Sequence, residues 1–107
     1  MSEMHYEVVQ DGAGRPTTER CAHLGELPSR VRPGSSEGCQ ECLRDGTRWV
    51  HLRECLTCGH IGCCDSSPMK HATAHWHAEQ HPLVRSFEPG EDWAWCYADE
   101  LVAVPTA

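Results

Sequence analysis

Eight cysteines in a chain of 107 residues restrict its folding more than any other feature. Four of them fall in two Cys-x2-Cys units, Cys39/Cys42 and Cys55/Cys58, sixteen residues apart. Each unit lets two thiolates meet one ion across a tight turn, and two such units in a short chain are a strong metal signal. Four disulfides would instead require an oxidising compartment. The opening stretch MSEMHYEVVQDGAG lacks the basic start and the apolar run of about 7 to 15 residues of a secretory signal. No stretch approaches the roughly 18 to 20 apolar residues of a membrane-spanning helix. A cytoplasmic, reducing setting is therefore expected, where cysteine clusters read as metal ligands.

Two Cys-x2-Cys units alone could make one four-cysteine site. Four more cysteines and the block HATAHWHAEQH at 71–81, with four of the eight histidines, point to further sites. Ser67 followed by Pro68 reads as a helix start, a capping hydroxyl and then proline in the first turn. Pro82 stops the helix at about Gln80. On that helix His71 and His75 lie about 40° apart on one face, whereas His77 points about 120° from the first and about 160° from the second. His77 therefore faces water. Met69, Ala72 and Trp76 make an apolar stripe on a third side. His81 falls past the helix end, where a loop can return it toward His75.

Composition agrees that metal must stabilise the fold. Hydrophobic residues make up 39% of the chain, which also carries nine glycines and seven prolines. Such a lean core in so short a domain calls for another stabiliser. The net charge of −7 comes from sixteen acidic and nine scattered basic residues, which argues against a nucleic-acid partner.

Residues 1–18 are polar and read as a flexible tail, or at most one loosely attached strand, with the domain over 19–107. RWVHLRE (48–54) alternates and reads as a strand, as do PLVRSFE (82–88) and DWAWCYA (92–98), joined by a turn at 88–91. ELVAV (100–104) is a possible last strand. Short strands with one helix make an α+β domain.

Taken together, Cys39-x2-Cys42, RWVHLRECLTCGHIGCC, HATAHWHAEQHPL and WAWCY resemble the UBP-type zinc finger of ubiquitin-specific proteases, in its three-zinc form. The resemblance spans residues 21 to about 104. It implies a small zinc-stabilised domain, a twisted antiparallel sheet of short strands with one or two flanking helices. It also implies an interleaved ligand set. Cys39, Cys42, Cys63 and His71 would hold one Zn2+, and Cys55, Cys58, His75 and His81 a second. Cys21, His23 and Cys96 would begin a third. There the family has a second cysteine after the tryptophan, and this chain has Asp99. A carboxylate is an acceptable zinc ligand, so Asp99 is expected as the fourth donor. Cys64 is left over, beside a ligand where the family has glycine. His5, His51 and His60 lack ligand context and read as surface or hydrogen-bonded residues.

The resemblance implies a binding module rather than an enzyme. Four protein ligands make a closed, structural zinc site, whereas hydrolysis needs an open position for water and a general base. A zinc hydrolase remains the alternative if Asp99 does not ligate, and a thiol redox protein if one Cys-x2-Cys is metal-free. The family is known for holding the free C-terminal Gly-Gly of ubiquitin against aromatic residues, closed by an arginine. Trp95 and Tyr97 match the aromatic wall. The arginine does not match, since the family's Cys-Gly-Arg reads Cys63-Cys64-Asp65 here, and Val102 stands near the place of a family tyrosine. The expected partner is thus a protein or peptide, neutral or cationic where it meets Asp65.

Overall fold

A computed structural model describes residues 5–10, 17, 19–28 and 31–106. Six strands form one antiparallel sheet in the order β1-β6-β5-β4-β2-β3. They are β1 His5–Val9, β2 Leu52–Cys55, β3 Ile61–Cys63, β4 Leu83–Ser86, β5 Ala94–Cys96 and β6 Leu101–Thr106. Two helices, α1 Gln40–Asp45 and α2 His71–Glu79, accompany it with a 3-10 turn at Ala22–Glu26. The α+β class and the antiparallel sheet are as the sequence led one to expect. Among the described residues, no helix is long and apolar enough to cross a membrane.

Several boundaries differ from the sequence reading, each for a local reason. Within 1–18, residues 5–9 form the single strand that is the second reading of that segment, at the sheet edge: Val8 pairs with Ala103 and Val9 with Val102, and Val9 is buried. The rest of that tail, apart from Gln10 and Thr17, lies outside the described residues. The strand expected over 48–54 is regular only from Leu52, because the Ser67 hydroxyl accepts the Val50 N–H at 2.8 Å in place of a ladder partner. This same bond takes Ser67 out of the helix cap. Lys70 caps α2 instead, in the left-handed conformation and without a side-chain bond, and Met69 is left exposed. At the other end Gln80 is also left-handed and its N–H returns to the Trp76 carbonyl, one residue before His81. Strand β3 and helix α1 fall in stretches too short for a periodic signal to register.

The core falls into two clusters. Leu83, Ala94, Cys96, Ala103, Leu56 and Cys21 form one buried cluster, with Tyr6, Val8 and Leu101 against it. Cys39, Cys42 and Cys63 form the other, covered by Trp49 and Leu52. Ile61 and Leu83 are the largest fully buried side chains. Arg85 donates from Nε to Glu54 at 2.6 Å, across the β2–β4 register pair that joins the same two residues. Helix α2 rests on β3 because position 62 is glycine. A Cβ there would stand 2.7 Å from the Ala72 backbone nitrogen and 2.9 Å from the His60 ring.

Gly62→Ala must push α2 away from β3, an overpacking that costs about 1–3 kcal/mol. Urea unfolding of the zinc-loaded protein measures this, and an unchanged midpoint would mean that α2 does not bear on β3 at this point.

Candidate metal centres

The fold brings the twelve expected donors together as three groups of four, with the donor atoms of each group within 4.8 Å of one another. In the first, Cys39 ends the loop before α1 and Cys42 sits in its first turn, so the short helix presents both thiols to one point. Cys63 approaches from β3 and His71 from the start of α2. The His71 Nδ1 lies 3.3, 3.4 and 3.6 Å from the sulfurs of Cys39, Cys42 and Cys63. The Cys42 and Cys63 sulfurs are 4.0 Å apart. Bonds of about 2.0–2.3 Å at a tetrahedral centre place neighbouring ligand atoms about 3.3–3.8 Å apart; the three nitrogen–sulfur edges fall in that range and the sulfur–sulfur edge is slightly longer.

The second group grows from the turn after β2. The Gly59 N–H returns to the Cys55 carbonyl and the Cys55 N–H goes to the His60 carbonyl, both at 2.8 Å. Gly59 is in the left-handed region (φ +84°), with the Arg32 carbonyl packed against the place a side chain would occupy. Here the Cys58 sulfur lies 3.3 Å from His75 Nε2, and the Cys55 sulfur 3.6 Å from His81 Nδ1. His71 and His75 share a helix face yet serve different groups, because four residues advance the chain about 6 Å along the axis.

The third group joins the two ends of the domain. Cys21 and His23 straddle the start of the 3-10 turn, and Cys96 ends β5. His23 Nδ1 lies 3.6 Å from the Cys21 sulfur, 3.5 Å from that of Cys96 and 3.1 Å from Asp99 Oδ2. The Asp99 N–H also points to the Cys96 sulfur at 3.4 Å. Asp99 is thus brought to the place a fourth donor needs, and it is the exposed member of its group.

The chemistry of the donors fits zinc. Burial pushes the thiols of Cys21 and Cys39 up to about 12 and that of Cys55 up to about 11. Thiols so placed stay protonated unless a cation offsets the burial, as zinc does on binding, with release of the protons. None of the eight cysteines is in a disulfide. The clusters are three zinc sites, and the zinc-finger character expected from the sequence holds.

His77 is exposed, as the helical wheel requires. His51 is exposed too, and the side chain of His5 lies outside the described residues. His60 is a hydrogen-bonded residue. Its Nε2 meets Glu41 at 2.7 Å, and its ring stacks on that of His75 with centroids 4.1 Å apart and planes within 4°. Cys64 is buried beside the Ser67 hydroxyl. Burial works against its thiolate, but bonding to Ser67 and to the His51 and Ser66 backbone, with Arg53 near, brings the thiol down to about 7.

Trp95, Tyr97 and Asp65, the residues expected to contact a peptide, line one pocket of about 250 Å³. Arg53, Cys64, Val84 and Trp93 complete it. The Arg53 guanidinium lies 4.5 Å from the centre of the Trp93 ring. Asp65 accepts the Thr73 hydroxyl at 2.6 Å, and Tyr97 stacks on Trp76 with centroids 6.1 Å apart. Trp93 was within reach of sequence reasoning, since Trp93, Trp95 and Tyr97 alternate along one stretch. Arg53 enters from β2, and nothing local to position 65 announces it.

A family model described as a zinc finger in ubiquitin hydrolases and other proteins matches residues 39–103. Cys21 and His23 lie before that span. Ubiquitin carboxyl-terminal hydrolase 16 of Rattus norvegicus is 29% identical over 109 residues, covering 84% of this chain and 13% of that protein. The chain therefore corresponds to a small part of that relative. A Rhodopseudomonas palustris protein solved in solution by NMR is 50% identical, with a TM-score of 0.71 over 82% of this chain and 84% of its own.

At saturating zinc, native mass spectrometry should find three ions per chain. His71→Ala, His75→Ala and His81→Ala should each remove one ion and cost more than about 4 kcal/mol, whereas His77→Ala should change stability by less than about 0.5 kcal/mol. Equal losses for all four would contradict the grouping.

Proposed function

Since the chain belongs to the family of zinc fingers found in ubiquitin hydrolases and other proteins, we propose that it is a non-catalytic interaction module. In this reading the partner is a protein or peptide segment, seated in the pocket of Arg53, Asp65, Trp93, Trp95 and Tyr97. The observation that carries the reading is the make-up of those walls: three aromatic side chains, one cation and one carboxylate converge on one opening. Aromatic rings supply contact area at low entropic cost, and the charges set orientation. The metal groups support a binding role over catalysis, because four protein donors around each ion leave no open coordination position for water. A reducing, cytoplasmic setting suits a chain whose thiols are committed to metal.

Asp65 sets negative charge where the family has its arginine, so the ligand is neutral or cationic at that contact. A free C-terminal carboxylate held by arginine gains about 1.5–3 kcal/mol, and its loss costs about ten- to a hundredfold in affinity. A second reading has its own observation. Arg53 reaches the same pocket from β2, where it could take over the arginine's role toward a ubiquitin-like Gly-Gly tail.

Calorimetry with a peptide ending in free Gly-Gly separates the two. The first reading expects wild type to bind more weakly than micromolar, and Asp65→Arg to gain at least about tenfold. Micromolar binding by wild type that Arg53→Ala abolishes would establish the second reading and overturn the first.

A further inference from the structure

His60 and Glu41 belong to none of the three donor groups, yet they lie between two of them. Glu41 stands between Cys39 and Cys42 on α1, with Oε1 3.8 Å from the Cys39 sulfur. Its two carboxylate oxygens meet His60 Nε2 at 2.9 and 2.7 Å. The other side of this link is the His60 ring, lying flat on the ring of His75. The neighbouring Gln40 adds a second grip, since its Oε1 accepts the Ile61 N–H at 2.8 Å. The short α1 thus holds the turn that carries Cys55 and Cys58, and it holds it from the helix that carries Cys39 and Cys42. Gly62 leaves the room that His60 occupies, for a Cβ there would stand 2.9 Å from its ring.

We propose that Glu41 and His60 are positioning residues that couple the first and second zinc sites, so that these two ions bind and leave together while the third exchanges on its own. His75 reaches Cys58 through Nε2, and the stacked His60 fixes the plane of its ring. Glu41 in turn fixes His60. When the first site loses its ion, the six-residue α1 loses the anchor that Cys39 and Cys42 provide, and Glu41 no longer holds His60 in line. His75 is then free to rotate away from Cys58. The same link works in reverse, as any coupling between two binding equilibria must. The third site, built from Cys21, His23, Cys96 and Asp99, shares no residue with this link. The inference rests on the zinc sites and not on the peptide pocket, so a failed peptide titration leaves it standing.

The test follows zinc release to a chelator, with cobalt absorption to mark the three-sulfur site and the ring NMR signals of His75 and His23 to tell the two two-sulfur sites apart. Wild type should lose two ions in one phase and the third separately. Glu41→Gln and His60→Phe leave every donor in place, and His60→Phe keeps a flat ring. Each should split the paired phase and weaken the Cys55/Cys58 site alone by about 10- to 100-fold, the usual effect of losing a partner that orients a ligand. His51→Phe, on an exposed histidine, serves as control and should match wild type. Wild type releasing three ions in three phases overturns the proposal, as do Glu41→Gln and His60→Phe profiles that match wild type. Equal weakening of all three sites by both variants, the mark of a general loss of stability, overturns it as well.

Discussion

Compensation of buried thiolate charge by a bound cation is the interaction on which the whole molecule depends. Cys39, Cys42, Cys55, Cys63 and Cys96 are each no more than 1% exposed, in positions where another small domain would place leucine or valine. Ionised sulfur is costly there when alone and favourable when it shares a divalent ion. Binding energies of about 10–16 kcal/mol per structural zinc are as large as the whole stability of an ordinary domain. This is why the chain manages with Ile61 and Leu83 as its largest fully buried side chains.

Placing metal in the core also decides how the elements are joined. Each site takes its donors from segments far apart in sequence, so each ion closes a long loop. Cys21 and Cys96 tie the start of the domain to β5, while Cys39 and Cys42 tie α1 to β3 and α2. Helix α2, only nine residues long and flanked at both ends by left-handed cap residues, would be marginal alone. It is held by a ligand in its first turn, a second ligand one turn on, and the close approach to Gly62. The edge strand β1 gains its place on β6, beside the cluster that contains Cys21 and Cys96.

On the side of the sheet that carries α2, Arg53, Val84, Trp93 and Trp95 come forward from three neighbouring strands and the turn before β5. Alternation along each strand is what puts Arg53 on this side and Glu54 on the other. Glu54 is consumed by its bond to Arg85, an internal pair that belongs to the sheet. Arg53 is directed instead to the opening shared with Asp65. The two charges of the pocket therefore come from different elements, and their separation is a property of the sheet.

By itself, the sequence determined the metal chemistry. Cysteine spacing, the four-residue step between His71 and His75, and the position of His77 on the wheel are local quantities, and local geometry was enough to read them. The α+β class followed from short alternating stretches with one helix. The division of the histidines between ions came from the family resemblance, since a helix face alone cannot say which sulfur lies opposite it. Other features existed only once the chain had closed. The Ser67 hydroxyl could have capped α2 or taken the Val50 N–H, and the packing of the preceding loop chose the second. Val8 and Val9 were too few to declare a strand until β6 offered an edge. His60 acquired a role only when α1 brought Glu41 to it and α2 laid His75 on its face. Arg53 became a pocket residue because strand pairing set it near Asp65, and pairing depends on contacts between segments that no local pattern encodes.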